Sequence, residues 1–130
     1  IDQAEILVFG PGSWFTSVVP SLLVPGIRRA VARSSARRIL IMNLSEQIGE
    51  TTGFTAADYV KSWRALFSDI ALDAIIFDLD QTQGQGQCEQ AAQSVGAKAF
   101  RIKVASHAAT HDPDKLADAL RFVVQDLGSK

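Results

Sequence analysis

Gly10-Pro11-Gly12-Ser13 ends an apolar run, Glu5-Ile6-Leu7-Val8-Phe9, and Trp14-Phe15-Thr16-Ser17-Val18-Val19 follows as the start of a helix. Strand, glycine turn and helix N-terminus together suit a phosphate. The glycines let backbone come close, and unpaired helix N–H groups point at the anion. Ser13, Thr16 and Ser17 add three hydroxyls within five positions. The same residues also describe a tight strand-to-helix turn capped by Ser or Thr, and their types alone leave both readings open.

Other groups with chemical potential are sparse. Glu46 and Glu50 bracket a glycine in a polar stretch and could accept hydrogen bonds from a sugar or base; a solvated loop is the alternative. Asp78 and Asp80 follow an apolar run and could hold Mg²⁺ or ribose hydroxyls. Solvated carboxylates at a strand end are the preferred reading of that pair. His107 and His111 flank a loop and a helix start, so they make a poor zinc pair. Cys88 has no obvious partner and reads as a plain thiol. No Ser-His-Asp order and no Gly-x-Ser-x-Gly elbow occurs.

The elements that must position these groups alternate. Residues 5–10 form a first strand. A helix begins near Ser17, with Pro20 in its first turn, where a missing N–H costs little. Pro25-Gly26 breaks it, and Ile27 to Arg33 resumes it. Ile39 to Leu44 is a second strand, apolar on both faces as a central parallel strand should be. After the loop 45–52, Thr55-Ala56-Ala57-Asp58 resembles a capping box, and Val60, Trp63, Phe67 and Ile70 recur at helical spacing. Trp63 at that spacing reads as core. Ala74 to Phe77 is the third strand. Gln81 to Gln87, rich in Gln and Gly, reads as a mobile loop, and Glu89 to Val95 as a short helix stopped by Gly96. Ala99 to Val104 is a fourth strand near an edge. Asp112-Pro113 opens a last helix, which Gly128 ends. Alternating strands and helices predict an α/β fold with a mostly parallel sheet and right-handed crossovers. Ligands of such sheets bind beyond the strand carboxyl ends. That rule gathers the loops 10–17, 43–52, 78–87 and 105–112 on one rim.

The whole chain narrows the function classes. Its 130 residues, 47% apolar with net charge −1, suit one globular domain. No basic excess points to nucleic acid. The apolar stretch from Val18 to Ile27 is too short and interrupted for a membrane span. A single cysteine excludes an internal disulfide and fits a reducing cytosol. The chain starts without Met, almost directly on a strand of buried type, which points to a fragment. Such a piece should expose an apolar surface, covered by partner chains or self-association.

The residues Gly10 to Ile27, GPGSWFTSVVPSLLVPGI, resemble the signature of the YvcK-like proteins, kin to 2-phospho-L-lactate transferase (CofD). The likeness continues in Asn43-Leu44, Gln47, Gly49-Glu50-Thr51 and Gly53-Phe54-Thr55-Ala56-Ala57-Asp58, and ends in His111-Asp112. It implies a Rossmann-like three-layer fold, here the C-terminal portion of a larger domain without the family's N-terminal glycine loop. It also implies a cytoplasmic bacterial protein that binds a nucleotide-sugar, typically a UDP-sugar, with a role in carbon use, wall synthesis and cell shape. On that pattern Gly10, Pro11, Gly12, Ser13, Thr16 and Ser17 would hold the diphosphate. Asn43, Gln47, Gly49, Glu50 and Thr51 would orient sugar or base, with Thr110 and His111 closing the site. Several positions depart from the pattern. Ser45-Glu46 stand for Met-Thr, Ile48 for Pro and Tyr59 for His, and Thr110 stands where many members have Arg. Two rivals remain: a transferase moving a phospholactyl group to a deazaflavin, with Mg²⁺ held by Asp78 or Glu50, and a non-catalytic interaction module. A homo-oligomer, or the missing N-terminal half, would complete the assembly.

Overall fold

The computed structural model describes residues 1–80, 85–107 and 110–128. Four strands form one parallel sheet in the order β1 (Ile6–Phe9), β2 (Arg37–Ile41), β3 (Ala74–Asp78) and β4 (Lys98–Ile102). Val8 pairs with Ile39, Leu40 with Ile75, and Ile76 with Phe100. A π turn over Trp14–Val18 runs directly into α1 (Val19–Leu23), followed by α2 (Pro25–Arg33), α3 (Ala56–Leu66), α4 (Gln85–Gln93) and α5 (Pro113–Leu127).

The period of two along a strand sorts the core into two sides. Leu40, Met42, Ile75 and Phe77 face α1 to α4, and Ile39, Ile41, Ala74 and Ile76 face α5. Three layers therefore form, with four helices on one side and one on the other. Trp63 is core, as its spacing predicts. It is 1% exposed and packs edge-on against Phe9 and Phe67, with ring centroids 4.9 and 5.2 Å away.

Local signals in the sequence placed several ends correctly. Thr55 and Asp58 make the reciprocal capping box of α3. Asp112 caps α5 by accepting from the N–H groups of Asp114 and Lys115, and Gly128 ends that helix at φ 67°. Other boundaries moved. The first helical turn begins at Trp14, not near Ser17, because both Ser17 and Val18 donate to the Ser13 carbonyl. Gln85 to Gln87 lie in α4 and not in a loop; Gln is a good helix former. Residues 81–84 of the expected mobile stretch lie outside the described residues.

The two sheet edges differ. β4 carries Lys98 and Arg101, charges that discourage further pairing. β1 carries no charge, is an edge strand rather than a buried one, and leaves Ile6 37% and Val8 45% exposed. At the amino ends of the strands, Arg37 and Arg38 serve structure. The buried Arg38 guanidinium donates to the carbonyls of Val31, Ala32 and Ser34 at the end of α2. Arg37 pairs with Asp73 at 3.3 Å.

Trp63 touches elements from β1 to the end of α3, so Trp63→Ala should lower unfolding free energy by about 3–5 kcal/mol. Urea denaturation checks this, and a loss under about 1 kcal/mol would contradict the packing described.

Candidate functional site

The carboxyl rim of the sheet is built from two loops that bind each other. Asn43, just past β2, lies beside the peptide of Gly12, just past β1. The Gly12 N–H donates to Asn43 Oδ1 at 3.0 Å, and Asn43 Nδ2 donates to the Gly12 carbonyl at 3.0 Å. The side-chain amide thus completes a peptide-like pair between loops that no strand joins. Gln47 Oε1 accepts the Trp14 N–H at 3.0 Å. The Glu50 carboxylate accepts the Phe15 N–H at 2.9 Å, and both its oxygens lie 2.7 Å from Ser13 Oγ.

The second loop is braced from below. Thr51, fully buried, accepts the Gln47 N–H at 2.9 Å and shares a 2.7 Å hydrogen bond with the Tyr59 hydroxyl. Tyr59 stacks edge-on with Trp14, 5.2 Å between centroids, and Trp14 Nε1 donates to Ser62 at 2.8 Å. Gly49 turns the loop at φ 85°, a conformation that side chains with a Cβ rarely adopt.

The turn after β1 therefore receives an anion, and that anion is internal. The N–H groups of Gly12, Trp14 and Phe15, expected to face a phosphate, are taken by Asn43, Gln47 and Glu50. The Ser13 hydroxyl and the Phe15 and Thr16 backbone hold Glu50 below the usual carboxylate range, against some opposing desolvation.

Besides the contacts between the two loops, the sequence-predicted residues border three places. Asn43 borders a cleft of about 330 Å³ over the ends of β2 and β3. Phe54 and Tyr59, with ring centroids 5.3 Å apart, form one wall of it, and Glu46 and Asp80 supply carboxylates. Gly10, Pro11, Gly12 and Ser17 line a separate groove beside β1, with Leu7, Val8 and Leu22. Thr110 and His111 belong to a turn closed by an Ala105–His111 bridge. The Thr110 hydroxyl lies 2.9 Å from that of Ser106. The His111 ring bonds the Met42 carbonyl, and its Nε2 is buried with no partner among the described residues.

Asp78 corrects the reading of a solvated strand end. It is only 4% exposed. Its carboxylate accepts N–H groups from Val104 at 2.8 Å, Ala105 at 2.9 Å and Asp80 at 2.9 Å. Burial pushes its pKa up, but these donors and the charge of Lys103 bring it below the ordinary value. With both oxygens so engaged, Asp78 does not fit a hydrated Mg²⁺, which needs near-octahedral oxygen ligands. Asp80 is exposed and holds Lys103 Nζ at 2.6 Å. Among the described residues no cluster of three His, Cys, Asp or Glu gathers to hold a metal, and no helix is long and apolar enough to cross a membrane.

The family model for 2-phospho-L-lactate transferase CofD matches residues 1–125. A protein of Mycobacterium leprae named as a gluconeogenesis factor is 39% identical over 124 residues, covering 92% of this chain and 34% of that protein. The gluconeogenesis factor of Halalkalibacterium halodurans is 50% identical over 62 residues, covering 48% of this chain and 19% of that protein. The crystal structure of a UPF0052 family member from Bacillus halodurans superposes with a TM-score of 0.78 at 27% identity, covering 92% of this chain and 43% of that chain. The chain belongs to the CofD family. Its curated relatives bear the name gluconeogenesis factor, and it spans about a third of the length of the M. leprae protein.

Two predictions follow from the rim. Asn43→Asp keeps an acceptor for Gly12 but loses the donor and sets a charge against a carbonyl; stability should fall by about 1–3 kcal/mol. Equal denaturation midpoints would contradict the inter-loop pair. The second concerns pH. Burial lowers the His111 pKa below 6.5, partly opposed by the Met42 carbonyl and Asp78. The unfolded chain then takes that proton first, so stability is full above about pH 6.5 and declines as pH falls towards the folded pKa. Glu50 and Asp78 have depressed pKa values, so their contribution is present above 4.5 and 3.8 respectively and is lost only below those values. His111→Gln should flatten the first decline and leave the second. A variant with an unchanged slope between pH 6.5 and 5 would overturn the assignment.

Proposed function

We propose that this chain contributes the ligand-facing rim of a nucleotide-sugar-binding protein that acts in bacterial carbon use, as a regulatory binder and not an enzyme. The cleft over β2 and β3 carries the reading. It lies beyond the carboxyl ends of the strands, where open parallel sheets bind ligands, and its size is within the usual range for small-molecule sites. Glu46 and Asp80 can accept hydrogen bonds from sugar or ribose hydroxyls. Phe54 and Tyr59, their ring planes crossing at 73°, offer apolar surface to a ligand. The relatives' name, gluconeogenesis factor, supports a role in carbon metabolism, and a cytoplasmic location accords with it. The Gly10–Ser17 loop serves in this reading as the wall that Asn43 holds in place, because a phosphate on its N–H groups would have to displace Glu50.

The family's transferase description supports a second reading, in which the complete protein moves a phospholactyl group from a nucleotide-activated donor. Turnover separates the two. Calorimetric titration of the full chain with UDP-glucose should give saturable heat without turnover. Glu46→Gln should weaken it about tenfold, the low end for a hydrogen bond to a charged group. Turnover of a nucleotide-activated phospholactate would favour the transferase, and neither binding nor turnover would leave an interaction module.

A further inference from the structure

A diphosphate carries negative charge into a rim that is already acidic. Glu46 and Asp80 border the cleft, Asp78 accepts the Asp80 N–H, and Glu50 accepts the Phe15 N–H of the adjoining turn. The backbone donors of the neighbouring turn are engaged. A nucleotide-sugar therefore needs a cation, and most cations of the described residues are committed elsewhere. Arg28 pairs with Asp69, Arg33 with Asp2, Arg37 with Asp73 and Lys98 with Asp126. Lys61 and Arg64 line a different groove, between α3 and α4. Lys115 donates to the Ala105 carbonyl, and Arg101 to the Leu79 carbonyl at 2.7 Å. Lys103 borders a groove beside α5, with Lys115 and Phe122, yet its Nζ lies 2.6 Å from Asp80, a residue of the cleft lining.

We propose that Lys103, one residue beyond β4, is the phosphate-binding group of the cleft, and that ligand binding exchanges its Asp80 partner for the diphosphate. The inference rests on the nucleotide-sugar reading. The exchange uses both halves of the ion pair. The ammonium turns to the phosphate oxygens, and the freed Asp80 carboxylate accepts a hydroxyl of the ribose or sugar. The pair is exposed, with side chains 51% and 62% accessible, so opening it costs little, and removing Lys103 should leave the fold intact. Lys103 would then supply the charge that Thr110, a hydroxyl bonded to Ser106, cannot.

The test is calorimetric titration of the full chain with UDP-glucose and with uridine, in EDTA, for wild type, Lys103→Met and Lys103→Arg. Lys103→Met should lower UDP-glucose affinity about tenfold or more, as expected for losing a charged hydrogen bond. It should leave uridine affinity unchanged and weaken the salt dependence of UDP-glucose binding. Lys103→Arg should stay within a few-fold of wild type. Wild-type binding that Lys103→Met leaves unaltered, or an equal loss for both ligands, would overturn the role of Lys103 while leaving the cleft as the site. Absence of UDP-glucose binding in wild type would remove both.

Discussion

A single asparagine amide substitutes for backbone pairing where the sheet stops. β1 and β2 run parallel and end at Phe9 and Ile41, and from there nothing in the ladder keeps their loops together. Asn43 accepts the Gly12 N–H and donates to the Gly12 carbonyl, so the two loops continue side by side. Gln47 and Glu50 extend the attachment to Trp14 and Phe15. Hydrogen bonds of this kind, here mostly part-buried, are modest in net energy, but together they tie the two loops into one unit. The cleft beside it inherits its shape from that unit, with Tyr59 linking Thr51 below to Trp14 in front.

The electrostatics of the rim follow from the same contacts. A helix start and a glycine turn attract an anion, and the chain supplies Glu50 from its own second loop. Asp78 does the same at the end of β3, gathering the N–H groups of Val104 and Ala105 and so fixing the path from β4 into α5. Two carboxylates are thus consumed in structure. Glu46 and Asp80 border the cleft; Glu46 also accepts the Gly53 N–H, and Asp80 is paired with Lys103.

Elements whose signals are local were legible in the sequence. β2 and β3 are apolar on both faces and lie in the sheet centre, and the Thr55 and Asp112 caps stand where short motifs put them. The motif residues also meet on one rim, as the carboxyl-end rule requires. What they do there was not legible, because their partners are distant in the chain: Gly12 and Asn43 are 31 residues apart, and Ser13 and Glu50 are 37 apart. A glycine turn reads alike whether its anion is a ligand or a side chain. Asp78 and Asp80 look equivalent as text; only the loop after β4, 26 residues on, makes one buried and leaves the other at the surface. Trp14 read only as part of a helix start and Tyr59 only as a departure from the family pattern, because their polar ends find Ser62 and Thr51 only in the folded chain.

The central claim is that the turn after β1 is filled by Glu50 and that ligand enters the neighbouring cleft. Backbone amide shifts of the ¹⁵N-labelled chain during titration with UDP-glucose test it residue by residue. The predicted shifts are at Leu44, Ser45, Glu46, Phe54 and Asp80, with Phe15 and Thr16 unmoved. Large shifts at Phe15 and Thr16 with a silent cleft would show that the ligand displaces Glu50 from the turn, and would contradict it.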